Sequence, residues 1–365
     1  MKILYFFMQY PTPMYLWQNE HIVDELAHHG IEMEIFNPLN FGSVDEANEK
    51  VVKHLSENKY DLFMTCHGKN ICYVETIKQI KHIGIPTLLI CFDNLVAPYM
   101  HLNVCRYYDV VWLTSNENKG MFKSRSANLM VAPYAANPYS FNYKQCDEVE
   151  EIVFIGSPYG SRANLLNSIT DNQMPVSLYG NISVQERTTD IANKSEKLFT
   201  AMKYLTYPAG RTLLWAYIHQ KKNKSATLNV DTPYLNVNAP VPVKDLSMLY
   251  SSYALCLSST TARNSGVLKK PLYIVNLRSF EIPMCGGIQF CRRSAEIEEY
   301  FEDEKEIVLF DSDNDMIEKA KFYLRPENES IRMAIRQNAR KRAESEHTWF
   351  CRFKMAFDCL GLSLR

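Results

Sequence analysis

Three groups of residues in this 365-residue chain have the types and spacing to do chemistry. Arg278 stands three residues before Glu281, and the pair Gly286-Gly287 follows shortly after. A guanidinium can neutralise an anion, a carboxylate can accept from paired hydroxyls, and glycines at a helix start leave backbone N–H groups open to a ligand. Arg162 follows Gly156 in VFIGSPYGSRANLL and offers a second cation after a strand. In the first half, His67 (in TCHG) and Asp93 (in CFDN) each follow an apolar run, where either could take a proton from a hydroxyl. Each residue also has a plainer reading. Glu281 could be a solvated acid favoured by a helix dipole, and Arg278 could sit in a surface salt bridge. Asp93 could cap a following helix, and His67 could be a satisfied loop histidine.

The surrounding pattern is one that places such residues at strand ends. KILYFFM, IEMEIFN, YDLFMTC, IPTLLICF, YDVVWLT and NLMVAPYA are short apolar runs. KILYFFM, which is nearly continuous, reads as a strand covered on both faces, and the others as further strands. Between them, LWQNEHIVDELAHHG, VDEANEKVVKHLSEN and VETIKQIKHIG carry apolar residues at helical spacing. Strand–helix alternation implies parallel β-α-β units in a doubly wound sheet. QCDEVE reads as a polar linker, after which EIVFIG, SRANLLNSITD and VSLYG restart the pattern. The stretch from about 185 to 224 is expected to be mainly helical, and TLNVD and YLNVNAP to be strands or loops. KDLSMLYSSY, AEIEEYF and NDMIEKAKFYLR read as helices, and the residues from Glu329 to Phe357 as one long amphipathic helix. Ligands of open α/β sheets bind at the carboxyl ends of the strands, near the point where strand order reverses.

Composition excludes several classes. Forty Lys and Arg against 41 Asp and Glu give a net charge of -1, without the basic excess of a chain that tracks nucleic acid along its length. A hydrophobic fraction of 46% with 22% charged residues is that of a folded protein. The ten cysteines form no CxxC pair and no zinc-like spacing, several lie inside apolar runs, and no secretory signal or membrane-length apolar stretch is present. A reduced, cytoplasmic protein of two α/β domains is the expectation.

The second half resembles bacterial CgeB-like (spore-maturation-type) glycosyltransferases of GT-B fold. Arg278, Phe280, Glu281, Gly286 and Gly287, then Phe301 and Glu306, then His347, Thr348, Trp349 and Arg352 stand in that family's order. VFIGSPYGSRANLL resembles the start of its C-terminal domain, and YDLFMTCHG, GIPTLLICFDN, YDVVWLT and PYAANPYSF fit its N-terminal domain.

The resemblance implies an α/β GT-B architecture, with two Rossmann-like doubly wound domains facing an interdomain cleft. Residues 1–147 would form the acceptor side, 148–345 the nucleotide-sugar side, and 346–365 a helix packing back on the first domain. The implied reaction moves a sugar from a UDP- or GDP-sugar to a hydroxyl of a glycan, lipid-linked saccharide or surface protein. Glu281 would accept from the ribose diol. Arg278 and Arg162, with Gly156, Gly286 and Gly287, would hold the diphosphate, and the loop Asn238-Ala239-Pro240-Val241 the base. Asp93 or His67 would be the base of an inverting enzyme, or would orient substrates in a retaining one. The Glu-x7-Glu pair of retaining relatives is broken, since Tyr273 occupies its first position. No metal or other cofactor is expected beyond the nucleotide-sugar, and no DxD-like pair stands at a strand end. His347, Trp349 and Arg352 are expected to lock the last helix to the core. Tyr10, Tyr15 and Trp17 would stack on an acceptor sugar or form core and lid. The basic runs KKNK at 221–224 and ARKR at 339–342 are ordinarily solvated faces, or a lipid contact for an enzyme at the inner membrane face. Rival functions on the same architecture are a sugar-nucleotide epimerase and a non-catalytic nucleotide- or sugar-binding protein.

Overall fold

The computed structural model describes residues 1–125, 127–183, 194–222 and 227–364. The helical expectation for about 185–224 and the KKNK run thus lie partly outside the described residues. The chain forms two compact units, Met1–Asn137 with Thr348–Arg365, and Pro138–His347.

The first unit holds a six-stranded parallel sheet in the order β2-β1-β3-β4-β5-β6. Its strands are β1 (Lys2–Phe6), β2 (Glu32–Phe36), β3 (Leu62–Thr65), β4 (Thr87–Cys91), β5 (Val110–Leu113) and β6 (Leu129–Val131). Its helices include α1 (Pro13–Gln18), a π turn over Asn19–Val23, α2 (Asp24–His28), α3 (Val44–Glu57), α4 (Val74–Ile83) and the short α5 (Lys119–Lys123). One face of the sheet presents Leu4, Phe6, Phe63, Leu89 and Val111 to Val51, Leu55, Ile77 and Ile80 of α3 and α4. Ser43 Oγ accepts the Glu46 N–H at the start of α3, and Gly84 ends α4 at φ +90°. The order reverses between β1 and β3, so the loops after Phe6 and Thr65 leave the carboxyl edge on either side of the switch point.

The second unit repeats the plan with the order β12-β11-β10-β7-β8-β9. Its strands are β7 (Val149–Ile155), β8 (Val176–Tyr179), β9 (Leu235–Asn238), β10 (Tyr253–Ser258), β11 (Gln289–Arg292) and β12 (Val308–Phe310). Its helices are α6 (Ser161–Asp171), α7 (Lys194–Leu205), α8 (Pro208–Lys222), α9 (Val243–Ser252), α10 (Arg278–Met284), α11 (Ala295–Glu298), α12 (Asp313–Tyr323) and α13 (Glu329–Glu346). All pairings are parallel, and Ile152, Phe154, Leu178, Leu255, Leu257 and Phe290 fill the core on one face. Of the two uncertain segments, YLNVNAP contains β9 and TLNVD is loop. The switch point lies between β7 and β10, whose carboxyl ends release the loops 156–160 and 259–277. The polar stretch ahead of β7 belongs with this unit. Glu148 pairs with Arg332 and with Arg336, the latter at 2.9 Å, fixing α13 to the strand that follows.

The single long C-terminal helix of the sequence reading is two helices. α13 ends at Glu346, and α14 (Trp349–Leu360) begins after Thr348, whose extended backbone and Oγ1 cap the Cys351 N–H. Apolar periodicity runs through the break, but a capping threonine needs a non-helical backbone. Among the described residues, no helix is long and apolar enough to cross a membrane.

Candidate functional site

The second unit concentrates charge at its switch point. β7 is followed by Gly156, at φ +142°, whose N–H bonds to the Tyr179 carbonyl. A Cβ at this glycine would stand 3.5 Å from Arg278 Nη2 and 3.8 Å from Arg162 Nη1. Two guanidinium groups therefore converge over a bare Cα, although they lie far apart in the sequence. Gly180 is needed for the same packing, because a Cβ there would meet the Gly156 carbonyl oxygen at 2.3 Å.

Arg162, in the first turn of α6, donates to the Ser157 carbonyl at 3.2 Å and lies 4.4 Å over the Tyr159 ring. Arg278 begins α10, and no carboxylate of the described residues comes within 4 Å of it. Burial works against its charge, but the Tyr250 hydroxyl, the Glu281 carboxylate and Tyr159 outweigh it and hold its pKa above the ordinary value. The surface salt bridge considered for Arg278 is therefore not what forms. Glu281 lies one turn on and is buried at 7% exposure, so it is not a solvated acid. Around this point, Ser258 Oγ, Thr260 Oγ1, Asn276 Oδ1 and the Tyr250 hydroxyl are buried with hydrogen-bonding capacity unspent within the protein. Burying such groups unsatisfied is costly, so they favour a polar ligand. Local sequence pattern did not flag them, because isolated hydroxyl and amide side chains spread over a helix, a strand and loops carry no motif.

Gly286 and Gly287 do not take the phosphate-binding role expected of them. They follow the end of α10 rather than its start. The Gly286 N–H bonds to the Pro283 carbonyl and the Gly287 N–H to the Ile282 carbonyl, with Gly286 at φ +69°. This is a Schellman C-cap, and both N–H groups are consumed by it. Both glycines precede β11, at the amino edge of the sheet, away from the converged guanidinium groups. Their small size serves packing: a Cβ on Gly286 would meet the Tyr143 ring at 3.0 Å, and one on Gly287 the Tyr250 carbonyl at 2.7 Å. Val241 lies part-exposed in the loop between β9 and α9. β9 is two strands from β7, about 10 Å at the usual strand spacing.

In the first unit, His67 and Asp93 follow the neighbouring strands β3 and β4. His67 Nε2 accepts the Met8 N–H at 2.8 Å, and its ring stacks on Phe7. Burial, with the nearby His101, lowers its pKa to about 4. Its basic nitrogen is thus already engaged, and the neutral ring is left with Nδ1–H. With Nε2 occupied by the Met8 N–H, the general-base role expected of His67 does not fit this geometry. His101 itself bonds through Nε2 to the Cys66 carbonyl at 2.9 Å. Asp93 is exposed at the carboxyl edge, within the turns formed by residues 92–96. Its neighbour Asn94 does the structural work there. Asn94 Oδ1 accepts from the Thr114 and Ser115 N–H groups at 3.0 Å, and Nδ2 donates to the Ser115 and Glu117 carbonyls. That clamp joins the loops after β4 and β5 and sets where Asp93 stands.

The aromatic residues after β1 divide. Tyr10 and Tyr15 pair at 5.1 Å with Tyr10 exposed, whereas Trp17 packs on His21, Phe92, Tyr134 and Trp349. At the other end of the chain, the His347 ring bonds to the Tyr300 carbonyl at 3.0 Å. Trp349 Nε1–H donates to His21 Nδ1, and Arg352 donates to the Pro133 carbonyl. These contacts fasten the ends of α13 and α14 to their own units.

The comparisons agree with this architecture. A family model described as "Glycosyl transferase-like" matches residues 163–357, more than half of the chain. The Anabaena protein HepE, solved with UDP-glucose, is 13% identical with a TM-score of 0.59, over 99% of this chain and 100% of that one. An alpha-glucosyltransferase solved with UDP and a DNA 13-mer is 15% identical with a TM-score of 0.59, over 99% of both chains. A glycosyltransferase from Rickettsia africae is 10% identical, again with a TM-score of 0.59 over 99% of both chains. A search of curated proteins found no significant match. Two parallel Rossmann-like sheets, a converged cation pair at the second switch point and this family match lead to one conclusion: the chain belongs to the glycosyl transferase-like family and is a glycosyltransferase of GT-B fold.

Proposed function

We propose that the enzyme transfers a sugar from a UDP-linked donor to a saccharide hydroxyl, and that it belongs to the CgeB-like branch of bacterial polysaccharide-building enzymes. The observation that carries the donor assignment is the convergence of Arg162 and Arg278 over Gly156, beside the buried Glu281. Two fixed guanidinium groups match a diphosphate and neutralise the charge that develops as it leaves. Their charge supplies what a metal would otherwise supply, so we expect activity without one. Glu281 would accept from the ribose diol. The loop at Asn238–Val241, two strands away, would lie within a nucleoside's reach of the phosphates. UDP is favoured over GDP because HepE and the alpha-glucosyltransferase are described with UDP or UDP-glucose.

In the reaction the acceptor oxygen bonds to the anomeric carbon, the bond from that carbon to the β-phosphate oxygen breaks, and the hydroxyl proton leaves. Asp93, exposed at the end of β4, would take that proton in an inverting reaction and would orient substrates in a retaining one. His67 would donate Nδ1–H to a substrate oxygen. Tyr10 offers an exposed ring face, backed by the part-buried Tyr15, of the kind a pyranose stacks on, which favours a saccharide acceptor. Cytoplasmic action follows from the pools of sugar nucleotides there.

Thermal-shift titration with UDP, GDP, CMP and dTDP tests the donor assignment. UDP should stabilise the wild type selectively, and Glu281→Ala should abolish the shift while leaving the ligand-free melt intact. Stabilisation by none of the nucleotides would overturn the reading.

A further inference from the structure

The hairpin of α7 and α8 carries an apolar face that the second unit does not use. Leu198, Phe199, Met202 and Leu205 recur along one side of α7 and are 54% to 65% exposed. On α8, Trp215 at 58% and Ile218 at 37% continue the exposed surface, while Leu213 and Ala216 on the opposite side are buried. Arg211, Trp215, Ile218 and Lys222 follow the spacing i, i+4, i+7, i+11, which puts them in one stripe with a cation at each end. Lys203 lies 4.2 Å over the Phe199 ring. From Leu198 to Lys222 the sequence has Lys203, Arg211, Lys221 and Lys222 but no Asp or Glu, although acids and bases balance in the chain as a whole.

We propose that this hairpin docks the enzyme on an anionic lipid surface, with Leu198, Phe199, Met202 and Trp215 entering the headgroup–acyl boundary and Arg211 and Lys222 meeting lipid phosphates. Exposed apolar residues flanked by cations are what an interfacial helix needs. Charge selects this occupant over a second copy of the chain. An isologous dimer would set this face on itself and bring like charges together across the interface. The other basic run, ARKR at 339–342, is a poorer lipid contact. Arg340 pairs with Glu344 and Arg342 with Glu346 on the same helix, so its charge is largely answered within α13.

Flotation of the full-length chain with vesicles tests the proposal. Phosphatidylcholine vesicles are compared with vesicles containing about 30% phosphatidylglycerol. Binding should be about ten-fold greater on the anionic vesicles and should fall steeply at about 0.5 M salt. Brominated acyl chains should quench Trp215, because Trp112 and Trp349 are fully buried and Trp17 is packed among rings. Trp215→Phe should remove most of that quenching. The double variant Arg211→Glu with Lys222→Glu should release the protein while its ligand-free melt stays unchanged. If that variant does not fold, the salt dependence and quenching of the wild type decide. Equal binding to both vesicles, no binding, or a dimer in solution that Leu198→Ser with Met202→Ser converts to monomer would overturn it.

Discussion

At the scale of single residues, the division of labour among the arginines and glycines makes sharp predictions. Arg278 has no carboxylate within 4 Å among the described residues, although the Glu281 charge and the Tyr250 hydroxyl act on it, and its loss should fall on turnover. Arg278→Ala should lower kcat by about 100- to 1,000-fold, as removal of one preorganised donor to a developing anion does. Arg278→Lys keeps the charge but loses the planar fork, and should recover only part of that loss. Steady-state assays of UDP release on both variants check the order wild type, Lys, Ala. The glycines behave oppositely. Gly286→Ala forces a Cβ into a left-handed backbone beside the Tyr143 ring and should cost about 1–2 kcal/mol of stability. UDP affinity should be unchanged, because that N–H faces the Pro283 carbonyl rather than a phosphate. A stable Gly286→Ala protein that no longer binds UDP would restore the phosphate role to this glycine.

At the scale of elements, the docking of α14 is controlled by one buried acid. Glu25, fully buried in α2, accepts the Trp349 and Phe350 N–H groups at 3.1 and 2.7 Å, and so caps α14 from outside. Burial raises its pKa to about 7 against the opposing pull of those N–H groups, the Thr348 hydroxyl and Arg352. A carboxyl with a raised folded pKa binds its proton more tightly when folded. Its contribution is therefore greatest below the unfolded value near 4.5 and is lost as pH rises toward 7. For a shift of this size the loss amounts to up to about 3 kcal/mol. Glu25→Gln should flatten that dependence, seen as a smaller drop in Tm between pH 5 and pH 8 than the wild type shows. This contact also marks the limit of what the sequence discloses. The strands of the first unit are legible because most are continuous apolar runs ended by turn residues, while β2 alternates Glu32 and Glu34 with apolar residues. The break at His347-Thr348 is not, since the apolar spacing of α13 continues into α14. The Glu25 cap joins residues more than three hundred positions apart, as no periodicity can report. Likewise, Arg162 is legible as a cation after a predicted strand and Arg278 as one three residues before Glu281, but their meeting over Gly156 depends on β10 lying beside β7. Gly286-Gly287 misled for a local reason: the same dipeptide suits a phosphate loop before a helix and a cap after one, and only the start of α10 at Arg278 decides between them.

At the scale of the molecule, the two units have separate sheets and cores, and the groups that respond to ligand and to pH are divided between them. Arg162, Arg278 and Glu281 lie in the second unit, and Glu25 with the α14 it caps in the first. A ligand stabilises only what it binds, by about 2.7 kcal/mol at a hundredfold excess over Kd. Calorimetry should therefore resolve two transitions with different sensitivities. UDP should raise the transition of the second unit, and lowering the pH from 8 to 5 should raise that of the first more strongly. Removing residues 348–365 sharpens the test. It takes Trp349 from its place among Trp17, Phe92, Trp112 and Tyr134 and leaves Glu25 without its two N–H donors. A buried aromatic lost from a packed site costs about 3–5 kcal/mol, so the first transition should fall by many degrees. The second should stay in place and still rise with UDP. A single transition that shifts as one under UDP, pH and truncation would mean that the units fold as one cooperative body, and that α14 belongs energetically to both.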